Sequence, residues 1–157
     1  AGGADAAHAL GRLALEPGAL ELEITENVLM RDVESNAAKL VQLAEAGVRL
    51  AVDDFGTGYS SLKYLSRFPI HTLKIDRAFV KDSALDGMSI ANAIIGMARN
   101  LKLNVIAEGV ESTAQLEQLR SLQCSEVQGY LFGMPMSAQE ATRLLQEQVQ
   151  GEVAKTG

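Results

Sequence analysis

Cysteine, histidine and long apolar runs are scarce in these 157 residues, and each shortage excludes a class of protein. The one cysteine, Cys124, cannot form an internal disulfide or a thiolate metal cluster, and a reducing compartment such as the cytoplasm fits it. Because only two histidines are present, a metal site must consist mostly of carboxylates, which favours Mg²⁺ or Mn²⁺ over structural zinc. No apolar run approaches the roughly 18 residues of a membrane span, and the chain starts without a signal-peptide pattern. We therefore predict no membrane contact.

Positive charge is also scarce, since the chain has 14 basic and 20 acidic residues and a formal net charge of -6. A protein that binds duplex DNA nonspecifically usually has a basic face, so we predict no DNA or RNA partner. A small phosphate-bearing ligand remains compatible with this balance, because bound metal ions can reverse the local charge. The length and the hydrophobic fraction of 47% are typical of one globular domain.

Short apolar strands alternate with amphipathic helices along the chain. The predicted strands cover residues 20–25, 48–52, 72–75, 104–107 and 126–130. The predicted helices cover residues 34–46, a short segment around Leu62 and Leu65, residues 89–101, and two segments that follow the capping boxes Ser112/Gln115 and Ser137/Glu140. This order predicts an α/β fold with about five parallel strands, apolar on both faces as buried parallel strands are. Residues 151–157 are predicted to be a frayed tail.

The helical periodicity also predicts which side chains face the core. In the helix over residues 89–101 the inward residues would be Ile90, Ala93, Ile94, Met97 and Leu101. In the last helix they would be Ala141, Leu144, Leu145 and Val149. Gly47 stands where a glycine commonly ends a helix.

Polar side chains recur near the carboxyl ends of the predicted strands, where parallel α/β folds place their catalytic groups. The residues are Glu23 and Glu26, Asp53 and Asp54, Lys74 and Asp76, Glu108 and Glu111, and Gln128. Two adjacent aspartates are costly unless a cation neutralises them, and a lysine inside an apolar strand needs a partner. Carboxylates that converge from neighbouring strands suit a two-metal site for phosphodiester hydrolysis.

Structural alternatives exist for several of these residues. Asp53 and Asp54 are compatible with simply initiating the following loop through side-chain turns. Glu108 and Glu111 are compatible with charges at a helix N-terminus, and Glu26 with a helix cap. Spacing alone does not decide between these readings.

Five segments carry a resemblance to a known family. They are LELEITEN, AVDDFGTGYSSLKYL, TLKIDRAFV, VIAEGVE and QGYLFGMP, which lie within residues 20 to 146. In this order and spacing the chain resembles the EAL domain family. The resemblance implies a modified TIM barrel that hydrolyses cyclic di-GMP to linear pGpG with two Mg²⁺ or Mn²⁺ ions, in bacterial second-messenger signalling.

The resemblance also implies roles for individual residues. Glu23 resembles a ligand of the first metal, Asp53 the ligand that bridges both, and Asp54 and Glu108 ligands of the second. Lys74 resembles the lysine that orients or deprotonates the attacking water, with a pKa that burial or metals would lower.

The remaining matched residues resemble supporting groups. Asp76, Glu111 and Gln128 resemble residues around the water and metals, and Pro135 lies in the segment that flanks the nucleotide. Glu26 resembles the glutamate that holds the DFGTGYSS loop. In the family this loop lies near the dimer interface, which implies a homodimer.

The chain departs from the family pattern in two ways. The glutamate of the family's first strand and the asparagine of its second have no counterpart here, so residues 1–150 are expected to be the C-terminal two-thirds of the domain, a partial TIM-like barrel with open sheet edges. Gly133 and Met134 stand where the family usually has a serine and a basic residue. These departures favour the alternative of a non-catalytic module that binds cyclic di-GMP or a protein.

Overall fold

The computed structural model describes residue 16 and residues 18–58, 65–81 and 85–153. Its strands are β1 (Glu21–Thr25), β2 (Arg49–Phe55), β3 (Thr72–Ile75), β4 (Asn104–Ala107) and β5 (Glu126–Val127). Its helices are α1 (Glu26–Arg31), α2 (Val33–Glu45), α3 (Arg77–Lys81), α4 (Leu85–Asn100), α5 (Thr113–Ser121) and α6 (Ala138–Val153). The start of the predicted short helix around residue 62 lies outside the described residues.

The strands form one parallel sheet in the order β1-β2-β3-β4-β5, which confirms the predicted α/β architecture. Strands β3 and β4 have the predicted bounds. Strand β2 is longer than predicted and includes both Asp53 and Asp54, whereas β5 ends at Val127 instead of residue 130. Within the described residues, β1 and β5 are the two edges of the sheet.

The two faces of the sheet differ, so the prediction that the strands are apolar on both faces is wrong. Alternate residues of β3 are Thr72 and Lys74 on one face and Leu73 and Ile75 on the other. The same alternation gives polar positions Glu21 and Glu23 in β1, Arg49 and Asp53 in β2, and Asn104 in β4. The polar face holds its own contacts, since Thr72 Oγ1 donates to Glu21 Oε2 over 3.0 Å.

The apolar face carries the core. Leu50, Val52, Leu73, Ile75 and Val105 pack with the inward sides of α2 and α4 in one cluster of buried residues. Burying this face supplies most of the driving force for folding, at roughly 25 cal/mol per Å² of apolar surface.

The buried side of α4 matches the prediction in part, since Ile94 is buried and Met97 and Leu101 pack against the core. Ile90 is 41% exposed and Ala93 is exposed, while the buried positions are Ala91, Ile94, Ile95 and Ala98. These four follow the i, i+3, i+4, i+7 spacing of a helix face. The prediction is wrong for Ile90 and Ala93. The small residues Ala91 and Ala98 pack on the sheet instead, and Ile90 lies one position outside this buried stripe.

Helix ends largely follow the sequence signals. Gly47 has φ 86° directly after α2, as expected of a glycine that ends a helix. Ser112 and Gln115 form the predicted capping box of α5. Ser137 and Glu140 also bond reciprocally, and accepting hydrogen bonds from Ser137 lowers the pKa of Glu140.

Helix α6 departs from its prediction in two respects. It continues to Val153, beyond the predicted start of the frayed tail at residue 151. Leu144 and Leu145, predicted to be buried, are 44% and 61% exposed, so that prediction is wrong for the described chain. None of the helices in the described ranges has the length and apolar character that crossing a membrane requires.

Two glycines offer a matched test of packing next to the sheet. A Cβ added at Gly129 would lie against the backbone of Val110, with its carbonyl oxygen as the nearest atom, whereas one added at Gly96 in α4 would meet nothing within 4 Å. We expect Gly129→Ala to destabilise the fold by about 1–3 kcal/mol, as overpacking does. Gly96→Ala should stabilise it by about 0.5–1 kcal/mol through lower unfolded-state entropy. Urea denaturation of both variants tests this, and equal stabilities would contradict it.

Candidate active site

An irregularity in β2 brings two adjacent carboxylates together. The pairing of β2 with β3 shifts register between Val52 and Phe55, and Asp54 has φ 53°, a left-handed conformation that is uncommon outside glycine. In a regular strand the side chains of Asp53 and Asp54 would point to opposite faces. Here carboxylate oxygens of Asp53, Asp54 and Glu108 all lie within 4.8 Å of one another. The two aspartates therefore do more than initiate a loop.

Lys74 lies at the centre of the site, on the polar face of β3, and is only 4% exposed. Its Nζ lies 2.7 Å from Glu23 Oε1, 2.8 Å from Glu108 Oε1 and 3.1 Å from Asp53 Oδ1. The contact with Asp53 is an ion pair without good hydrogen-bond alignment, since Oδ1 has no hydrogen-bond partner. Three carboxylates, from β1, β2 and the end of β4, thus converge on the ammonium group that β3 provides.

The pKa of Lys74 is shifted opposite to the sequence-based expectation. Burial, the largest single influence, lowers it, but the carboxylates of Glu108, Glu23 and Asp53 together outweigh burial and hold the pKa well above the ordinary value for lysine. The expected lowering by burial is present but is outweighed, because three acceptors surround the ammonium group. Lys74 is a cation here.

Asp76 supports the site from the start of α3. Its Oδ1 accepts a hydrogen bond of 2.7 Å from the backbone N–H of Ala78, and its carboxyl group also contacts that of Asp54. Burial, the hydrogen bond with Asp76 and the charges of Asp53, Asp76 and Glu108 raise the pKa of Asp54. Crowded carboxylates of this kind gain from a bound cation.

Glu26 fixes the start of the loop that follows β2. It is 1% exposed, and its Oε2 accepts a hydrogen bond of 2.9 Å from the backbone N–H of Gly56. A Cβ at Gly58 would come within 2.8 Å of Glu26 Oε1, so the loop passes directly over this side chain. The sequence pattern had left open that Glu26 merely caps a helix, and its contact with Gly56 favours loop support.

We expect Glu26→Ala to loosen the loop, because the Gly56 amide would lose its partner at a cost of about 1–3 kcal/mol. Hydrogen exchange at Gly56 should accelerate, while exchange in β3 and β4 stays unchanged. Glu26→Gln, which keeps an acceptor oxygen, is the matched control and should exchange more slowly than the alanine variant. Unchanged exchange at Gly56 in Glu26→Ala would refute the assigned contact.

A cavity of about 230 Å³ opens beside Glu108. Among its lining residues are Glu111 and Gln128, both predicted as site residues, together with Arg77, Lys81 and Tyr130. Glu111 forms an ion pair of 2.7 Å with Lys81, and the backbone of Gln128 pairs with Ala107 and Val110 on either side. The sequence interpretation missed Arg77, Lys81 and Tyr130, although each lies within or directly after a matched segment.

Pro135 lies outside this cavity and the carboxylate cluster. It is exposed, as are Gly133 and Met134 beside it. Its contact with nucleotide stays a prediction.

The donor set fits divalent metal ions. Within the described chain, Asp53, Asp54 and Glu108 form a group of carboxylates close enough to share an ion, and oxygen ligands of this kind suit Mg²⁺ and Mn²⁺. Glu23 is not part of this group of mutually close carboxylates, and its Oε1 contacts Lys74. The site as a whole combines crowded carboxylates with one buried cation.

Comparison with known proteins identifies a family that this chain matches. A family model described as EAL domain matches residues 4–135. The cyclic di-GMP phosphodiesterase NbdA of Pseudomonas aeruginosa is 50% identical over 131 residues, which cover 82% of this chain and 17% of NbdA. The chain spans about a fifth of the length of the curated relatives it matches.

Two solved structures have the same fold. One is described as "PaMucR Phosphodiesterase, c-di-GMP complex"; it superposes with a TM-score of 0.82 at 48% identity, over 85% of this chain and 55% of that one. The other is the EAL domain of Mycobacterium smegmatis DcpA, with a TM-score of 0.85 at 37% identity, over 92% of this chain and 66% of that one.

Proposed function

The chain belongs to the EAL domain family, whose fold is a TIM-like barrel, and on that premise we propose that the complete protein hydrolyses cyclic di-GMP to linear pGpG. The observation that carries the proposal is the buried Lys74 in contact with Glu23, Asp53 and Glu108. The relatives named as cyclic di-GMP phosphodiesterases support the choice of substrate.

Asp53, Asp54 and Glu108 would hold divalent metal, Mg²⁺ or Mn²⁺, and Glu23 would join Asp53 at the first of two ions. Such ions, when bound, stabilise negative charge on the phosphate and lower the pKa of a bound water. Burial raises the pKa of Asp54 most, and the nearby carboxylates of Asp76, Asp53 and Glu108 raise it further. A bound cation would relieve the repulsion among these carboxylates, which supports the assignment.

Lys74 orients the attacking water and supplies positive charge. In the reaction a bond forms between the water oxygen and phosphorus, the bond from phosphorus to O3′ breaks, and O3′ leaves as a hydroxyl. The ammonium group of Lys74 faces the carboxylates of Glu23, Asp53 and Glu108, the same groups that would hold the metal ions. Of the two roles that the family resemblance implies for this lysine, we propose orientation of the water.

The other site residues act through these groups. Asp76 positions Asp54 through their mutual contact, and Glu111 and Gln128 line the cavity beside Glu108, where part of the substrate would lie. Homodimer formation through the DFGTGYSS loop is a further proposal. The hydrogen bond from Gly56 to Glu26 supports it only by linking that loop to the site.

We further propose that this chain is the C-terminal two-thirds of its domain, because it covers 55% and 66% of the two matched structures. Gly133 and Met134, which stand where the family usually has a serine and a basic residue, support the alternative of a non-catalytic binding module. That module would bind cyclic di-GMP without cleaving it.

Turnover assays separate these proposals. The complete protein and the 157-residue chain are each incubated with cyclic di-GMP and Mg²⁺ or Mn²⁺, and pGpG is quantified by anion-exchange chromatography. We expect turnover by the complete protein and poor turnover by the chain alone. Tight binding without any turnover by the complete protein would support the non-catalytic module, and equal turnover by both would refute the truncation.

A further inference from the structure

Glu108 begins the loop between β4 and α5, which covers residues 108–112. Its backbone N–H donates to Ile75 O over 3.1 Å, so the start of the loop is held on β3. Its carboxylate extends from there to Lys74, with Oε1 2.8 Å from Nζ, and to the two aspartates of β2. The place of this carboxylate therefore depends on the path that the loop takes after Glu108.

Val110 fixes that path from the inside. Its side chain is fully buried in a cluster with residues of α3, β4 and α5. Its backbone N–H donates to Gln128 O over 3.1 Å, and its carbonyl oxygen accepts a hydrogen bond of 3.0 Å from the N–H of Leu131. The loop is thus attached on one side to the segment over residues 128–131, which follows β5.

Two glycines allow the loop to lie this close to its neighbours. Gly129 lies directly against the backbone of Val110, which leaves no space for a Cβ. Gly109 has φ 71°, a left-handed conformation, and a Cβ added there would come within 2.5 Å of Arg77 Cβ in α3. A side chain at either position would push the loop away from the residues that hold it, and Glu108 would move with the loop.

We propose that Gly109 and Gly129 are positioning residues that hold the Glu108 carboxylate in the metal-binding cluster. Groups in an active site need to stay within about 0.5 Å of their working geometry. Relieving the contact at Gly109 to the ordinary carbon–carbon separation of about 3.5–4.0 Å requires a shift of about 1 Å. The proposal rests on the proposed function, which assigns Glu108 to the metal ions, and it gives the two glycines a role beyond packing.

The test uses the complete protein and measures Mn²⁺ affinity without substrate, from the electron paramagnetic resonance signal of the free ion. Gly109→Ala and Gly129→Ala should each bind Mn²⁺ about 10- to 100-fold more weakly than the wild type, the usual loss when the support of a metal ligand is removed. Gly96→Ala should bind like the wild type, because a Cβ there meets no described atom within 4 Å. Asp32→Ala, which destabilises α2 at its N-cap, should also keep full affinity and so controls for lost stability.

Arg77→Gly provides a rescue, because it removes the Cβ that a side chain at position 109 would contact. Gly109→Ala should therefore weaken Mn²⁺ binding far less in the Arg77→Gly background than in the wild type. Gly129→Ala should be equally harmful in both backgrounds, because its Cβ would meet backbone atoms of Val110. Equal weakening by Gly109→Ala with and without Arg77→Gly would refute the positioning role of Gly109.

Circular dichroism identifies the variants that fold, and affinities are compared among those. If the glycine variants bind Mn²⁺ as tightly as the wild type, the two glycines serve packing alone and the proposal is refuted. If the wild-type protein binds Mn²⁺ but does not cleave cyclic di-GMP, the hydrolase proposal fails, and weaker Mn²⁺ binding by the glycine variants still supports the positioning role.

Discussion

Replacing Lys74 with methionine in the complete protein should reduce the turnover of cyclic di-GMP by about 10²–10³-fold, the typical cost of removing one preorganised electrostatic group. Methionine preserves much of the side-chain volume, so the loss would come from the missing charge. Equilibrium binding of the dinucleotide should change far less than kcat. The assay is steady-state release of pGpG with binding measured in parallel.

The same variant should also be less stable without divalent ions. Removing Lys74 leaves Glu23, Asp53 and Glu108 without their shared cation. Because these carboxylates are 21–49% exposed, the cost should be below the about 3–5 kcal/mol seen when fully buried ion pairs are broken. Added Mn²⁺ should recover part of the loss.

Lys39→Met is the control, because Lys39 is exposed on α2, away from the site. It should match the wild type in both turnover and stability. Full activity in Lys74→Met would remove Lys74 from the mechanism.

Replacing Asp54 with asparagine should weaken Mn²⁺ binding by about 10- to 100-fold or more. That is the typical loss when a residue that merely supports a metal ligand is removed, and Asp54 is an expected ligand itself. At a concentration 100 times the wild-type Kd, Mn²⁺ stabilises the wild type by about 2.7 kcal/mol, and a 100-fold weaker variant by only about 0.4 kcal/mol. Denaturation with and without Mn²⁺ measures both values.

The sign of the stability change without metal distinguishes a lost metal ligand from general damage to the fold. Since burial and acidic neighbours raise the pKa of Asp54, its ionised form destabilises the folded state near neutral pH, and this penalty is lost as the pH falls through the raised pKa towards the ordinary value of 3.8. Asp54→Asn should therefore be more stable than the wild type without metal, yet gain less from Mn²⁺. Asp32→Ala, which removes the side-chain cap of α2, should lose about 0.5–2 kcal/mol of stability and keep the full response to Mn²⁺. A full response in Asp54→Asn would contradict its role as a ligand.

The sequence predicts β3 and β4 to the residue because each is a short, mostly apolar run between helical segments. The expectation that parallel strands are apolar on both faces makes Lys74 an exception. The structure shows that Lys74 follows the rule of its face: Thr72, Glu23 and Asn104 are polar for the same reason. A sheet face that is both polar and buried indicates either a functional site or a barrel interior filled by polar side chains.

Other structural features cannot be predicted from the sequence pattern. Helices α1 and α3 contain six and five residues, too few to show a helical period. The register shift at Asp53 and Asp54 depends on a left-handed residue that no local signal marks. The pKa of Lys74 depends on three carboxylates that are distant in sequence, so its direction could not be read from the strand alone.

The chemistry at the carboxylate cluster can be tested most directly by hydrolysis in ¹⁸O-labelled water. The complete protein is incubated with cyclic di-GMP and Mn²⁺, and the product is analysed by mass spectrometry. Attack of water at phosphorus with loss of O3′ predicts pGpG with one solvent oxygen on its 5′-phosphate, and about 10²–10³-fold slower formation of this product by Lys74→Met. Failure of the complete protein to form labelled pGpG with either Mn²⁺ or Mg²⁺ would contradict the proposed hydrolase.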